Sequence, residues 1–194
     1  MKDLICDLSR EKLIELIYAC KEINRSDLGL WEVGIFLLEK IAQVTGCQRC
    51  MIFKIMPSWE SVILMAGYPE EDFEKRKIYS AEKELTLFFQ KLDGNSHLII
   101  DDPIHNSLVQ SKKELVIEKK VNAILLIPLI IDESLEFIIS IDAVGEKKTF
   151  NEEDVVFCRI LVNQFSSHIQ KESSRTRERE KESLLVLGQA AGQM

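Results

Sequence analysis

The sequence lacks an apolar run long enough to cross a bilayer. Its longest apolar run covers residues 123–131 and ends at Asp132, whereas a membrane-spanning helix needs about 20 apolar residues. The N-terminus also lacks the hydrophobic segment of a secretion signal, because it reads MKDLICD. We therefore expect a cytoplasmic protein with no membrane span in this chain.

Basic residues are fewer than acidic ones: the chain has 25 Lys and Arg and 32 Asp and Glu, which gives a net charge of −7. A general nucleic-acid binder carries a basic surface, so nucleic acid is not an expected partner. Glycine and proline are also scarce, with 8 and 4 residues, and no linker rich in either divides the chain. A chain of 194 residues, of which 46% are hydrophobic, fits one domain with a helical extension.

Cysteines are few, and their number is odd: the chain has five. An odd number does not fit a fully paired disulfide framework. Cys47 and Cys50 form a lone CxxC pair, either a candidate redox pair or two structural side chains. If residues 47–50 are extended, their odd separation places the two thiols on opposite faces of the strand. A zinc site needs further ligands at suitable spacing, and none is evident, so we predict no metal site.

Hydrophobic periodicity predicts an α+β domain. Helical spacing predicts helices over residues 3–25 and 31–46, two helical pieces within 69–95, a short helix from Pro103 to about Lys120, and a long helix capped by Asn151. Alternating or continuous apolar residues predict strands at 50–56, 62–66, 97–100, 121–131 and 135–144. Antiparallel strands with helices packed on one face would then form the domain.

Four segments, in this order and spacing, resemble GAF domains. They read TGCQRCMIF at 45–53, IIDD at 99–102, AILLIPL at 123–129 and FNEED at 150–154, with Gln164 on the following helix. The resemblance covers about residues 25–170 and implies a GAF- or PAS-like antiparallel sheet with flanking helices and a ligand pocket. GAF domains often have glycine where Glu136 and Phe137 stand, so a side chain there is expected to fill or reshape the pocket.

The resemblance places the pocket between the sheet and helices near residues 69–90 and 103–120. It implies the lining residues Met51, Phe53, Met65, Tyr79, Phe89, Ile104, His105, Leu108 and Leu126. His105 is either a ligand to a haem, a metal or an anion, or a surface histidine. Bilin-binding GAF domains have a cysteine where Ile104 stands, and the cyclic-nucleotide signature Asn-Lys-Phe-Asp-Glu is absent. The ligand is therefore an unknown small molecule, and we predict no cofactor for this chain.

The C-terminal residues 187–194, LGQAAGQM, resemble the lead-in to the dimerisation and phosphoacceptor helix of sensor histidine kinases. In that family the phosphorylated histidine follows almost at once, so we expect the chain to end just before it. The resemblance implies that the full-length protein, part of a two-component system, binds ATP, phosphorylates itself and serves a response regulator. This chain alone is not expected to be an enzyme.

Three segments are predicted: an N-terminal dimerisation helix at 1–25, a sensory domain at 26–170 and a linker at 171–194. The linker is either a solvated helix or a signalling coiled coil of a parallel homodimer, which would use both terminal helices. One heptad series reads Val162, Phe165, Ile169, Glu172, Thr176, Arg179 and Ser183, and a second, out of phase with it, reads Leu184, Leu187, Ala191 and Met194.

Two other functions stay open. One is a dimerising relay without a ligand, whose partner is another sensor domain or protein. The other is a cysteine-dependent reductase of free methionine sulfoxide, because some GAF-like proteins catalyse that reaction with cysteines. The sequence contains no P-loop, GxGxxG loop or nucleophile elbow, and a sensory role is therefore favoured.

Overall fold

The structure of the chain, a computed structural model, describes residues 8–25, 29–70, 73, 76–80, 96–145 and 147–191. Its α-helices are α1 (Arg10–Arg25), α2 (Leu30–Thr45), α3 (Lys113–Glu118) and α4 (Glu152–Ala191), and a 3-10 helix (Ser107–Lys112) precedes α3. Its strands are β1 (Arg49–Ile55), β2 (Ser61–Tyr68), β3 (Ile78–Ser80), β4 (Leu98–Ile100), β5 (Val121–Ile131) and β6 (Ser134–Val144). The predicted α+β class is confirmed.

The six strands form one sheet in the order β3-β2-β1-β6-β5-β4, with antiparallel neighbours. Strand β6 lies between β1 and β5, so Asp142 has Arg49 on one side and Ile124 on the other. Directly opposed residues share a face of a sheet. This register therefore brings Arg49 and Asp142 together on one face.

Helices α2 and α4 cover the opposite face of the sheet, and α1 packs against both of them. Leu38 of α2 and Phe157 and Phe165 of α4 pack against Ile52 and Leu125 in one core cluster, and all five side chains are fully buried. Burying a leucine or phenylalanine side chain contributes about 1.5–3 kcal/mol. This apolar layer therefore supplies much of the free energy that holds α2 and α4 on the sheet.

Asp154 connects the start of α4 to α1 and to the segment before α4. Lys12 Nζ donates to one carboxylate oxygen at 2.8 Å, and Lys148 Nζ lies 3.3 Å from the other. Lys148 also donates to the carbonyl of Thr45, at the end of α2. The side chain of Asn151 accepts from the backbone N–H of Asp154 at 2.8 Å, which confirms the predicted N-cap.

Parts of three predicted helices are corrected. Helix α1 begins at Arg10 rather than residue 3, because Ser9 takes the N-cap position and its carbonyl accepts from Leu13 at 2.9 Å; residues 1–7 lie outside the described residues. The helix predicted from Pro103 begins at Ser107, where the Asn106 side chain caps it. Ile78–Ser80 is strand β3, not helix, since three residues are too few to show alternation. Residues 81–95 lie outside the described residues.

Helix α4 runs without a break for 40 residues, about 60 Å. Val162, Phe165 and Ile169 are buried in the core of the chain itself, so they cannot form the start of an intermolecular heptad seam. Beyond the sheet, the side chains of residues 173–181 are exposed to solvent. Among the helices that the structure describes, none combines the length and apolar character needed to cross a membrane.

Candidate functional site

A cavity of about 200 Å³ lies on the face of the sheet away from α1, α2 and α4. An apolar cavity of about 150 Å³ is large enough for benzene, so this one has room for a one-ring compound with a polar substituent. The lining residues come from the sheet, the turn after β1, the 3-10 helix and α3: Arg49, Met51, Phe53, Ile55, Trp59, Val62, Tyr79, Ser80, Val109, Lys112, Leu115, Val116, Val121, Ile124, Leu126, Ile138, Ser140 and Asp142.

The alternation of side chains along the strands creates the floor of this cavity. Residues at every second position of β1 and β6 face it, while the residues between them face the helices. The 3-10 helix and α3 span six residues each, and they contribute Val109, Lys112, Leu115 and Val116 to the lining. Lys112 Nζ of the 3-10 helix donates to Ser80 Oγ of β3 at 3.1 Å, which connects two opposite walls.

The apolar walls enclose a buried carboxylate. Ser140 Oγ donates to Asp142 Oδ1 at 2.8 Å, and both side chains lie on β6 two residues apart. Burial raises the pKa of Asp142 to about 6, against the opposing effects of the Ser140 hydrogen bond and the nearby Arg49 charge. A carboxylate in a low-dielectric site that is charged at neutral pH is a candidate ligand contact.

Arg49 is held beside this carboxylate. Its Nη1 lies 3.9 Å from Asp142 Oδ2, and its guanidinium stacks on the Phe73 ring, 5.0 Å from the centroid. Phe73 in turn lies against Gly67, where an added Cβ would be 2.3 Å from the ring. Glycine at this position therefore allows Phe73 to support Arg49.

Four predicted pocket residues line the cavity, namely Met51, Phe53, Tyr79 and Leu126. Met65 packs on the helical side of the sheet. Ile104 packs against the core beneath the 3-10 helix, and Leu108 is half-buried outside the cavity lining. Phe89 lies outside the described residues. Ligand binding by any of these residues remains a prediction.

Two further predicted positions also lie away from the cavity. His105 is exposed, and its Nδ1 is 2.9 Å from Asp102 Oδ2; this hydrogen bond lowers the pKa of Asp102. Phe137 packs edge to face against Trp31, with ring centroids 6.4 Å apart, on the helical side of the sheet. Phe137 therefore does not fill the cavity.

Arg49, Ser140 and Asp142 line the cavity but were not among the predicted site residues. A usable signal exists for the last two, because they are the polar residues of an otherwise apolar segment, 137–144, and they are two positions apart. That spacing places them on one face of a strand. The position of Arg49 opposite Asp142 depends on strand register, which the sequence pattern did not specify.

The cysteine pair is buried on the helical side. Cys47, Cys50 and Cys158 belong to one core cluster. The expectation of opposite faces applied to an extended segment 47–50, and that condition is not met because β1 begins at Arg49 and Cys47 precedes it. Burial raises the pKa of all three thiols. Since the thiolate is the reactive form, these thiols are poorly suited to a reductase. Among the described residues, no three His, Cys, Asp or Glu side chains are arranged to hold a metal ion.

Alkylation should therefore be slow at these thiols in the folded chain. We expect iodoacetamide at about pH 8 to leave Cys47, Cys50 and Cys158 largely unmodified and to label them readily in urea, because folding removes them from solvent and disfavours the thiolate. Peptide mass spectrometry measures the labelling of each cysteine. Equal labelling of Cys47 or Cys50 in the folded and unfolded chain would contradict the structural assignment.

Replacing Asp142 with Asn should stabilise the chain at neutral pH. Because its folded pKa is raised from 3.8 to about 6, ionisation of Asp142 lowers wild-type stability as pH rises through this window, by roughly 2–3 kcal/mol. Urea unfolding at about pH 4 and pH 7.5 should show that Asp142→Asn gains stability over the wild type only at the higher pH. Asp102→Asn, at an exposed carboxylate, is the control. The same gain for Asp142→Asn at both pH values would refute the argument.

No protein-family model and no curated protein matches the sequence. Its fold, however, matches solved structures. The GAF domain of a phosphoenolpyruvate-protein phosphotransferase from Coxiella burnetii has a TM-score of 0.71 and 18% identity, over 86% of this chain and 96% of that one. A phycoerythrobilin-bound GAF domain from a cyanobacterial phytochrome has a TM-score of 0.69 and 14% identity, over 84% of this chain and 98% of that one. A methyl-accepting chemotaxis protein has a TM-score of 0.63 and 18% identity, over 79% of this chain and 95% of that one. The chain therefore has the GAF fold.

Proposed function

We propose that this chain is the sensory domain of a cytoplasmic sensor histidine kinase and that it detects a small molecule in the cavity. The observation that carries the proposal is the position of that cavity. It lies on one face of strand β5, and the long helix α4 packs on the other face of that strand. Cavity occupancy and helix position are therefore linked through β5.

The link between cavity and helix consists of close packing and one hydrogen bond. On β5, Leu126 faces the cavity while its neighbour Leu125 packs with the helices. Farther along β5, Ser166 Oγ of α4 donates to the carbonyl of Ile130 at 2.7 Å. Protein interiors are close-packed and transmit strain. A ligand that shifts β5 would therefore change the contacts of α4.

Helix α4 would carry this change away from the domain. Its exposed part begins after the last side chains that pack on the sheet, and it continues to Ala191. There the sequence resembles the lead-in to a kinase dimerisation helix. In this proposal the kinase core binds ATP, phosphorylates its own histidine and passes the phosphoryl group to a response regulator.

The kinase role is tested in the full-length protein. We expect incubation with radiolabelled ATP to give an acid-labile, base-stable phosphate, as a phosphohistidine would. Ser140→Phe, which places a ring inside the cavity, should change the autophosphorylation rate several-fold by imitating a permanent occupant.

Ser107→Phe, at an exposed serine of the 3-10 helix, is the matched control and should leave the rate unchanged. Absence of phosphohistidine would refute the kinase assignment. Phosphorylation at the same rate in Ser140→Phe and wild type would instead favour a relay that does not use the cavity.

We also propose that the kinase acts as a homodimer and that α1 contributes to the dimer contact. Ile14, Ile17 and Tyr18 of α1 form one stripe and are 57%, 49% and 50% exposed. A stripe at this spacing is typical of helices that pack against a partner. Val162, Phe165 and Ile169 of α4 are buried in the core, and the side chains of the second heptad series, from Leu184 to Met194, lie outside the described residues. Within the described part of the chain, we therefore assign the contact to α1.

The double substitution Ile14→Gln and Ile17→Gln should weaken dimerisation about tenfold or more, because each removes exposed apolar area from the contact. Sedimentation-velocity ultracentrifugation over a concentration series measures the dimer dissociation constant. Ile117→Gln makes the same change at an exposed isoleucine of α3 and should have no effect. A monomeric wild-type chain, or equal effects of the two variants, would contradict the proposed contact.

A further inference from the structure

The floor of the cavity places a hydrogen-bond acceptor beside a hydrogen-bond donor. Asp142 is 5% exposed, and its Oδ1 is occupied by Ser140. Its Oδ2 lies 3.9 Å from Arg49 Nη1, which is longer than a hydrogen bond. Within the described part of the chain, the two groups are therefore neighbours without a direct hydrogen bond between them.

We infer that the cavity binds a small, neutral, planar molecule in which an N–H donor adjoins a carbonyl acceptor, with an apolar ring attached. A primary amide or a lactam has this arrangement. The N–H would donate to the Asp142 carboxylate, and the carbonyl would accept from the Arg49 guanidinium. This inference rests on the proposed function, because it names the chemical class that the sensory cavity recognises.

The two charges together select against ionic ligands. A carboxylate bound to Arg49 would be close to the negative charge of Asp142, and an ammonium bound to Asp142 would be close to Arg49. Like charges at such distances disfavour each other strongly in a desolvated site. Lys112 is the other positively charged residue of the lining, and its Nζ donates a hydrogen bond to Ser80 Oγ. A neutral ligand with an N–H beside a carbonyl can form hydrogen bonds with both Asp142 and Arg49 without adding a charge.

The rest of the cavity fits an apolar ring. Met51, Ile124 and Leu126 line the sheet side, and Phe53 and Tyr79 meet edge to face with centroids 5.8 Å apart. Aromatic rings favour offset or edge-on contacts with such pairs. The volume of about 200 Å³ accommodates one ring with its substituent.

Three compounds with the same ring test the inference: benzamide, benzoate and benzylamine, with toluene as the apolar reference. Methyl NMR of the chain at about pH 7.5, followed at Met51, measures each dissociation constant. We expect benzamide to bind about tenfold more tightly than benzoate or benzylamine, because only benzamide pairs with both groups. Equal binding, or tighter binding of either ion, would overturn the ligand class.

Asp142→Asn should reverse the preference. The substitution keeps the shape but removes the negative charge, so benzoate should bind the variant at least as tightly as benzamide does. Lowering the pH to about 5 should shift the wild type in the same direction, because Asp142 then takes up a proton. Asp102→Asn, an exposed carboxylate outside the cavity, should keep the wild-type preference. An unchanged preference in Asp142→Asn would overturn the role of Asp142.

The outcomes separate this inference from the proposed function. Binding of toluene, benzoate or benzylamine without a preference for benzamide would refute the ligand class and leave a small-molecule cavity in place. If none of the four compounds shifts the Met51 resonance at millimolar concentration, both the ligand class and the cavity as a one-ring site would be refuted.

Discussion

Strand β5 is apolar on both faces and β6 is apolar on its helical face, and the rest of the structure depends on covering these surfaces. Residues such as Ile139 and Leu125 must be buried on one side, and Ile138 and Leu126 on the other. Helices α2 and α4 complete the first layer, with α1 packed on them. On the second face, the described part of the chain contributes two short helical segments, the 3-10 helix and α3, and the cavity lies between them and the sheet. Helix α4 packs behind β5, on the other side of the sheet.

The polar groups in the cavity distinguish it from a packing defect. A buried carboxylate without a close cation costs stability unless another group compensates it. Here Phe73 and Gly67 hold Arg49 near Asp142 but 3.9 Å away. The inferred ligand would pair with both charged groups at once. An apolar interior would be the more stable solution if the cavity had only a structural role.

The sequence was most informative where periodicity was long. It predicted β5, β6, the hairpin of β1 and β2, and the Asn151 cap, because each has a strong local pattern. Strand β3 was missed, since its three residues depend on pairing with β2. The heptad spacing of Val162, Phe165 and Ile169 was real but belongs to the domain core. Likewise, four pocket residues followed from the GAF resemblance, whereas Arg49 depends on cross-strand register.

In the proposed mechanism, occupancy of the cavity is transmitted to α4 through strand β5. Hydrogen–deuterium exchange of residues 160–181 in Ser140→Phe, compared with Ser107→Phe, tests this transmission without knowledge of the ligand. We expect the ring inside the cavity to change exchange along α4 and the exposed ring to leave it unchanged. Identical exchange of α4 in the two variants and the wild type would show that the cavity and the helix are not coupled.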